Sequence, residues 1–213
     1  YYPEFWRTAE PALQRWQASV KPCRAPADLV TPRPYNDNTK HLMEQKPEEF
    51  AWLLDVLLRE KVDRLLVVGS KGSALEWHLA RQFFANQRQL EITTLKSQQD
   101  PDEVEVFRGA EEHFGQRINL IVANGSLASA QLAPPYTAVF LDGDHGYKGC
   151  RADFDFALTL SPRFIALHDI VDSDWHAYAR CCVSRVWNEL KADYRTLEQA
   201  SDEWGGIGIV TLD

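Results

Sequence analysis

The stretch Val139-Phe140-Leu141-Asp142-Gly143-Asp144-His145-Gly146-Tyr147 decides how this chain is read. An apolar run of this kind predicts a strand buried on both faces, as in sheets covered by helices on either side. Asp142 follows the strand directly, so its carboxylate emerges at the carboxyl edge. Asp144 and His145 follow within one turn. Two carboxylates and an imidazole that close suit a divalent cation, or a base with its orienting acid. Asp144 taken alone reads as a cap for the next helix.

Outward from this strand the pattern alternates. Upstream, Pro47 opens a helix whose Phe50, Leu53, Leu54, Leu57 and Leu58 share one face, with Glu48 and Glu49 in its first turn. Arg64 to Val68 reads as a buried strand. A helix over Ser73 to Asn86 follows, with Ser73 and Glu76 as a capping box and Leu75, Leu79 and Phe83 inward. A strand near Leu90 to Leu95 precedes a helix from Pro101 with Val104, Phe107 and Phe114 inward, closed by Gly115. Ile118 to Ala123 and Tyr136 to Leu141 are further strands. Downstream come a helix from Tyr147 to Leu160 and a strand from Phe164 to Leu167. Trp175, Tyr178, Ala179, Cys182, Val183, Val186, Trp187 and Leu190 then predict one long helix, and Tyr194 to Leu197 with Ile207 to Thr211 a closing hairpin. Strands alternating with helices mean a doubly wound, mostly parallel α/β sheet. Ligands of such sheets sit beyond the carboxyl ends of the strands, where the strand order reverses.

Three further strand ends reach that edge. Gly69-Ser70-Lys71-Gly72-Ser73 reads either as a loop for a nucleotide or adenosyl cofactor or as a tight turn that binds nothing. Asn124-Gly125-Ser126 by itself reads as a loop. His168-Asp169 ends the strand after Asp142's, so Asp142, His145, His168 and Asp169 converge if those two strands are neighbours. His41, His78, His113 and His176 read as surface or structural, and Trp77 and Trp187 as packing residues.

The 213 residues carry 23 basic and 31 acidic side chains, a net charge of −8, which argues against a nucleic-acid partner. Residues 1–46 form an aromatic, proline-rich arm (Tyr1, Tyr2, Phe5, Trp6, Trp16), and 47–213 form the α/β domain. The arm is expected to cover the pocket at the carboxyl edge or to join two copies as a homodimer. No apolar run reaches the roughly 20 residues of a membrane span, and no signal peptide is seen. Four cysteines without CxxC spacing suggest reduced thiols in a cytoplasmic protein.

Leu141-Asp-Gly-Asp-His-Gly-Tyr-Lys-Gly-Cys-Arg-Ala-Asp-Phe154, followed by Phe164-Ile-Ala-Leu-His-Asp-Ile170, resembles the class I S-adenosylmethionine (SAM)-dependent methyltransferases of the macrocin O-methyltransferase and cephalosporin-hydroxylase-like group. The lead-in Gln45 to Phe50, the loop Gly69 to Ser73 and the closing strand Gly205 to Val210 fit the same pattern. The resemblance spans residues 45 to 211. It implies a Rossmann-like seven-stranded sheet and O-methyl transfer from SAM to a hydroxyl of a small molecule, sugar or glycan. It implies SAM contacts at Gly69, Ser70, Gly72, Ser73, Asn124, Gly125, Ser126 and Asp142. It further implies Mg2+ or another divalent metal on Asp142, His168 and Asp169, with His145 as base beside Asp142.

Three positions depart from the pattern. Val67 stands where an acid usually precedes the first glycine, and Thr93-Thr94-Leu95-Lys96 lacks the acid that usually binds the ribose. His168 replaces the first acid of the pair after strand five, which leans towards a softer metal or none. The missing acids favour a second reading, a methyltransferase fold kept as a non-catalytic binding or partner subunit. The absence of a Gly-x-Ser-x-Gly elbow disfavours a hydrolase.

Overall fold

The computed structural model describes residues 45–70, 74–98, 101–123, 131–200 and 205–212. The expected N-terminal arm falls outside them except for Gln45 and Lys46, which are buried. Seven strands form one sheet: β1 Arg64–Val68, β2 Glu91–Lys96, β3 Arg117–Val122, β4 Ala138–Leu141, β5 Phe164–Val171, β6 Arg195–Gln199 and β7 Gly205–Thr211. Their order is β3-β2-β1-β4-β5-β7-β6. Neighbours from β3 to β5 are parallel, and β7 runs antiparallel to both β5 and β6. Six helices are described: α1 Pro47–Arg59, α2 Ala74–Ala85, α3 Pro101–Phe114, α4 Tyr147–Thr159, α5 Asp174–Ala179 and α6 Val183–Asp193.

Alternation along the strands builds two cores. Leu65 and Val67 of β1, with Phe140 and Ala166, face Phe50, Leu57, Leu79, Phe83, Phe107 and Phe114 of α1 to α3. Leu66, Val68, Val139, Leu141, Ile165 and Leu167 face Phe154 of α4 and Val186, Trp187 and Leu190 of α6. Apolar residues on both sides of the strands thus bury the sheet between two helical layers. Trp187 lies flat across β7, where a β-carbon on Gly208 would come within 2.6 Å of the indole. Its Nε1–H donates to Glu198 on β6 at 2.7 Å, which locks the closing hairpin to α6.

The structure corrects the sequence reading at three places. Val104 is 39% exposed, and its neighbour Glu103 is buried instead. The cause is Lys96 at the end of β2, whose ammonium reaches Glu103 at 2.7 Å with both side chains buried. A buried charge needs its partner, so the ion pair sets the rotation of α3. The predicted long helix over Trp175 to Leu190 is two helices, α5 and α6, broken at Arg180 in the left-handed region (φ 56°). Tyr178 consequently stays 81% exposed. Finally, β5 runs on to Val171, so His168 and Asp169 belong to the strand, which bulges between His168 and Val171 where it pairs with β7.

Candidate active site

The strand order reverses at β1 and β4, and residues expected at the site stand at the carboxyl ends of both. Val68 and Leu141 are paired, and the Asp142 N–H continues the ladder by donating to the Val68 carbonyl at 2.8 Å. The Asp142 carboxylate is buried. Its Oδ2 accepts from Gln45 Nε2 at 2.9 Å, and its Oδ1 lies 3.1 Å from His168 Nδ1. The adjacent parallel strand β5 supplies His168, which is also buried. Behind it, Glu49 Oε2 sits 3.8 Å from His168 Nε2. Glu49 is itself fixed, taking the Gly206 N–H at 2.8 Å and the Lys46 N–H at 3.2 Å. Sequence reasoning placed Glu49 only as a favourable first-turn acid; its second role was hidden in the long-range contact with β7.

Asp169 is the hub. It holds φ at +61°, a conformation uncommon outside glycine, and the bulge re-aims its side chain. Its Oδ2 lies 3.2 Å from His145 Nε2, and its Oδ1 lies 3.5 Å from His168 Nδ1 and 3.4 Å from His176 Nε2. His145 Nε2 is also 3.6 Å from Asp142 Oδ1. Asp142, His145, His168 and Asp169 are therefore brought together. Asp144 stays apart: its Oδ1 accepts the Gly146 N–H at 2.8 Å, and no side chain caps α4.

His176 joins the cluster against expectation. It is 4% exposed, and its Nδ1 is 2.6 Å from the Val171 carbonyl. No periodic pattern marked it, because the helix break that seats it was not legible. His78 and Trp77, in contrast, are buried packing residues with their rings in edge contact. Burial, with Arg81 nearby, pushes the His78 pKa down to about 3.

The electrostatics follow from this crowding. Burial opposes charge on Asp169, yet His168, then His145 and His176, outweigh it and hold the carboxylate ionised well below its usual range. The same balance lowers Asp142, with His168 the main opposing charge. Burial disfavours charge on His168 too, but Asp169 and Asp142 raise its pKa well above the usual imidazole value. Contact with Asp142 first, and Asp169 next, pulls the His145 pKa up to about 10. A free imidazole titrates near 6.5; the two carboxylates within reach, Asp142 foremost, account for the rise.

On the β1 side, Gly69 follows Val68 with φ +80°, and its N–H donates to the Leu95 carbonyl at 2.9 Å. Ser70 is buried and donates to Glu76 Oε1 at 2.6 Å, which also accepts from Thr94 at 2.9 Å. Burial raises the Glu76 pKa. Glu76 therefore ties the β1 loop to β2. Its expected capping partner Ser73, together with Gly72, Asn124, Gly125 and Ser126, lies outside the described residues.

No family model matches the sequence, and no curated protein matches it. Solved structures do. The chain is similar to the SAH-bound methyltransferase PaMTH1 of Podospora anserina, at 18% identity and a TM-score of 0.60, over 97% of this chain and 96% of that one. It is similar to the O-methyltransferase from Bacillus cereus in complex with SAH, at 19% and 0.58, over 97% and 91%. It is also similar to TomG, an O-methyltransferase from Streptomyces achromogenes in complex with SAM, at 15% and 0.58, over 94% and 98%. The fold is the Rossmann-like methyltransferase fold. On the methyltransferase fold the cluster occupies the carboxyl edge at the switch point, where ligands of doubly wound sheets bind. No helix among the described residues is long and apolar enough to cross a membrane.

Proposed function

We propose that the protein transfers a methyl group from SAM to a hydroxyl of a small molecule, a sugar or glycan residue being the expected acceptor class. One observation carries this reading. Asp142, His145, His168 and Asp169 converge at the carboxyl ends of β4 and β5, on a fold whose solved relatives include SAM- and SAH-bound methyltransferases.

The chain's own residues take defined parts. Gly69, Ser70, Gly72 and Ser73 would cradle the methionine end of SAM, and Asn124, Gly125 and Ser126, with Asp142 at the edge, its adenosine side. When bound, SAM supplies an electrophilic methyl on sulfur. Asp169 and Asp142 face His145 Nε2, which leaves Nδ1 as the nitrogen that takes the acceptor proton. The acceptor oxygen then forms a bond to the methyl carbon as the carbon–sulfur bond breaks. A His145 pKa of about 10 makes the neutral imidazole scarce at pH 7. It is, however, a stronger base when present, better matched to an alcohol.

Magnesium does not fit this donor set. It takes oxygen donors in a near-octahedral cage, whereas His168 stands in an oxygen position and its Nδ1 is engaged with Asp142 at 3.1 Å. No step is assigned to it.

A second reading, a non-catalytic partner subunit, draws on the end of β2. There the buried Lys96–Glu103 pair stands where a ribose-binding acid is expected, and Val67 is packed in the core. Calorimetric titration with SAM, followed by SAH release against a panel of hydroxylated acceptors, separates the two. SAM binding with acceptor-dependent SAH release supports transfer; absence of binding supports the partner subunit.

A further inference from the structure

On the far side of Asp169, away from His145, we infer a transition-metal site for a borderline cation of the zinc class, formed by Asp169, His176 and Cys181. One ligand atom of each lies within 4.8 Å of the other two. The site shares Asp169 with the proposed methyl transfer, which uses neither His176 nor Cys181.

The geometry of His176 is the first argument. Its Nδ1–H donates to the Val171 carbonyl at 2.6 Å, which leaves Nε2 to carry either a proton shared with Asp169 or a metal ion. That nitrogen faces a carboxylate oxygen, Asp169 Oδ1, at 3.4 Å. A deprotonated Nε2 and a carboxylate oxygen opposed at this distance, with His176 buried and Asp169 half-buried, need a cation or a proton between them. A direct charge-assisted hydrogen bond would be shorter, about 2.8 Å. Two ligands on one tetrahedral zinc, each about 2.1 Å from the metal, stand roughly 3.4 Å apart. A backbone carbonyl orienting the far nitrogen is also how histidine ligands are commonly held.

The chain path is the second argument. In a continuous helix, Cys181 would stand about 140° around the axis from His176, pointing away from it. The left-handed Arg180 ends α5, and the Cys181 N–H returns to the His176 carbonyl at 2.8 Å. Ser173 starts the turn by accepting the His176 N–H at 3.2 Å. Asp169, in its own left-handed conformation on the β5 bulge, is aimed at the same point. Two strained positions therefore serve one cluster, and strain of this kind gathers at functional sites. Sulfur, imidazole nitrogen and one carboxylate oxygen form a donor set that selects zinc or cobalt over magnesium or calcium. Three protein ligands leave a fourth position open.

Cobalt(II) alone is the probe, added to the full-length reduced protein without SAM. The wild type is expected to give tetrahedral d–d bands and a thiolate-to-cobalt charge-transfer band at one equivalent, both unmoved by excess Mg2+. Cys181→Ser should lose the charge-transfer band, Cys182→Ser should keep it, and His176→Ala should weaken binding at least roughly tenfold. A second measurement needs no variant: zinc should slow alkylation of Cys181 relative to Cys182 in the wild type, read by mass spectrometry. Absence of a thiolate band in the wild type, its survival in Cys181→Ser, or equal zinc protection of the two cysteines would overturn the site.

Discussion

The backbones of Gly69 and Gly143 cross so closely that a β-carbon on Gly69 would stand 2.1 Å from the Cα of Gly143. This contact joins the ends of β1 and β4, the two strands that flank the switch point. Gly69 also holds φ at +80°, so a side chain there is strained twice over. Gly69→Ala should destabilise the domain by about 3 kcal/mol or more, measured by urea unfolding. A loss below about 1 kcal/mol would show that the two strand ends can part cheaply. A bulky residue at position 69 therefore tests folding before it tests cofactor binding.

Glu49 ties α1 to β7 through the Gly206 N–H and stands behind His168. Glu49→Ala leaves a buried N–H without its acceptor and should cost about 1–3 kcal/mol. Glu49→Gln keeps an acceptor oxygen and should recover most of that loss. Equal losses for the two variants in thermal or urea unfolding would contradict the hydrogen-bond account.

Asp169 sets the protonation of His145. Asp169→Asn removes one of the two carboxylates that favour the imidazolium, so the His145 pKa should fall from about 10 towards the ordinary imidazole value of 6.5. Titration of the ring carbon-bound protons by NMR reads this directly. A His145 that titrates near 6.5 in the wild type would show that the carboxylates do not act on it as the distances imply.

The same shifts give a pH dependence of stability. The Asp169 pKa is depressed, so its contribution is present above the unfolded aspartate pKa of about 3.9 and is lost as pH falls. The His145 pKa is raised to about 10, so its contribution is complete below about pH 6.5 and is lost as pH climbs through 10. His168 and His176, also raised, act in the same direction as His145. His78, with its pKa lowered to about 3, acts the other way and loses stability as pH falls below about 6.5. Urea midpoints should therefore be highest near pH 6.5 and decline steadily towards pH 10. A midpoint that rises from pH 7 to 10 would contradict this cluster of charges.

The sheet was legible because its signal is local. The apolar run ending at Leu141, and its repeats at Arg64 to Val68 and Phe164 to Leu167, state where strands end, and strand ends state where the site lies. What was not legible depends on contacts between distant residues. Glu103 rather than Val104 faces inward because Lys96, on another element, pulls it there. The break at Arg180 left no glycine or proline in the sequence, so periodicity ran straight through it. With the break went His176, whose place beside Asp169 only the fold reveals.

The central claim is that His145 accepts a proton during methyl transfer from SAM, and one paired measurement addresses it most directly. SAM affinity by calorimetry and acceptor-dependent SAH release are compared for the wild type and His145→Ala, with the wild-type rate followed from pH 7 to 10. The account predicts unchanged SAM affinity, a turnover lowered by roughly 10²- to 10⁴-fold in the variant, and a wild-type rate that climbs towards pH 10. Equal turnover in His145→Ala and wild type, or no SAM binding by the wild type, would contradict it.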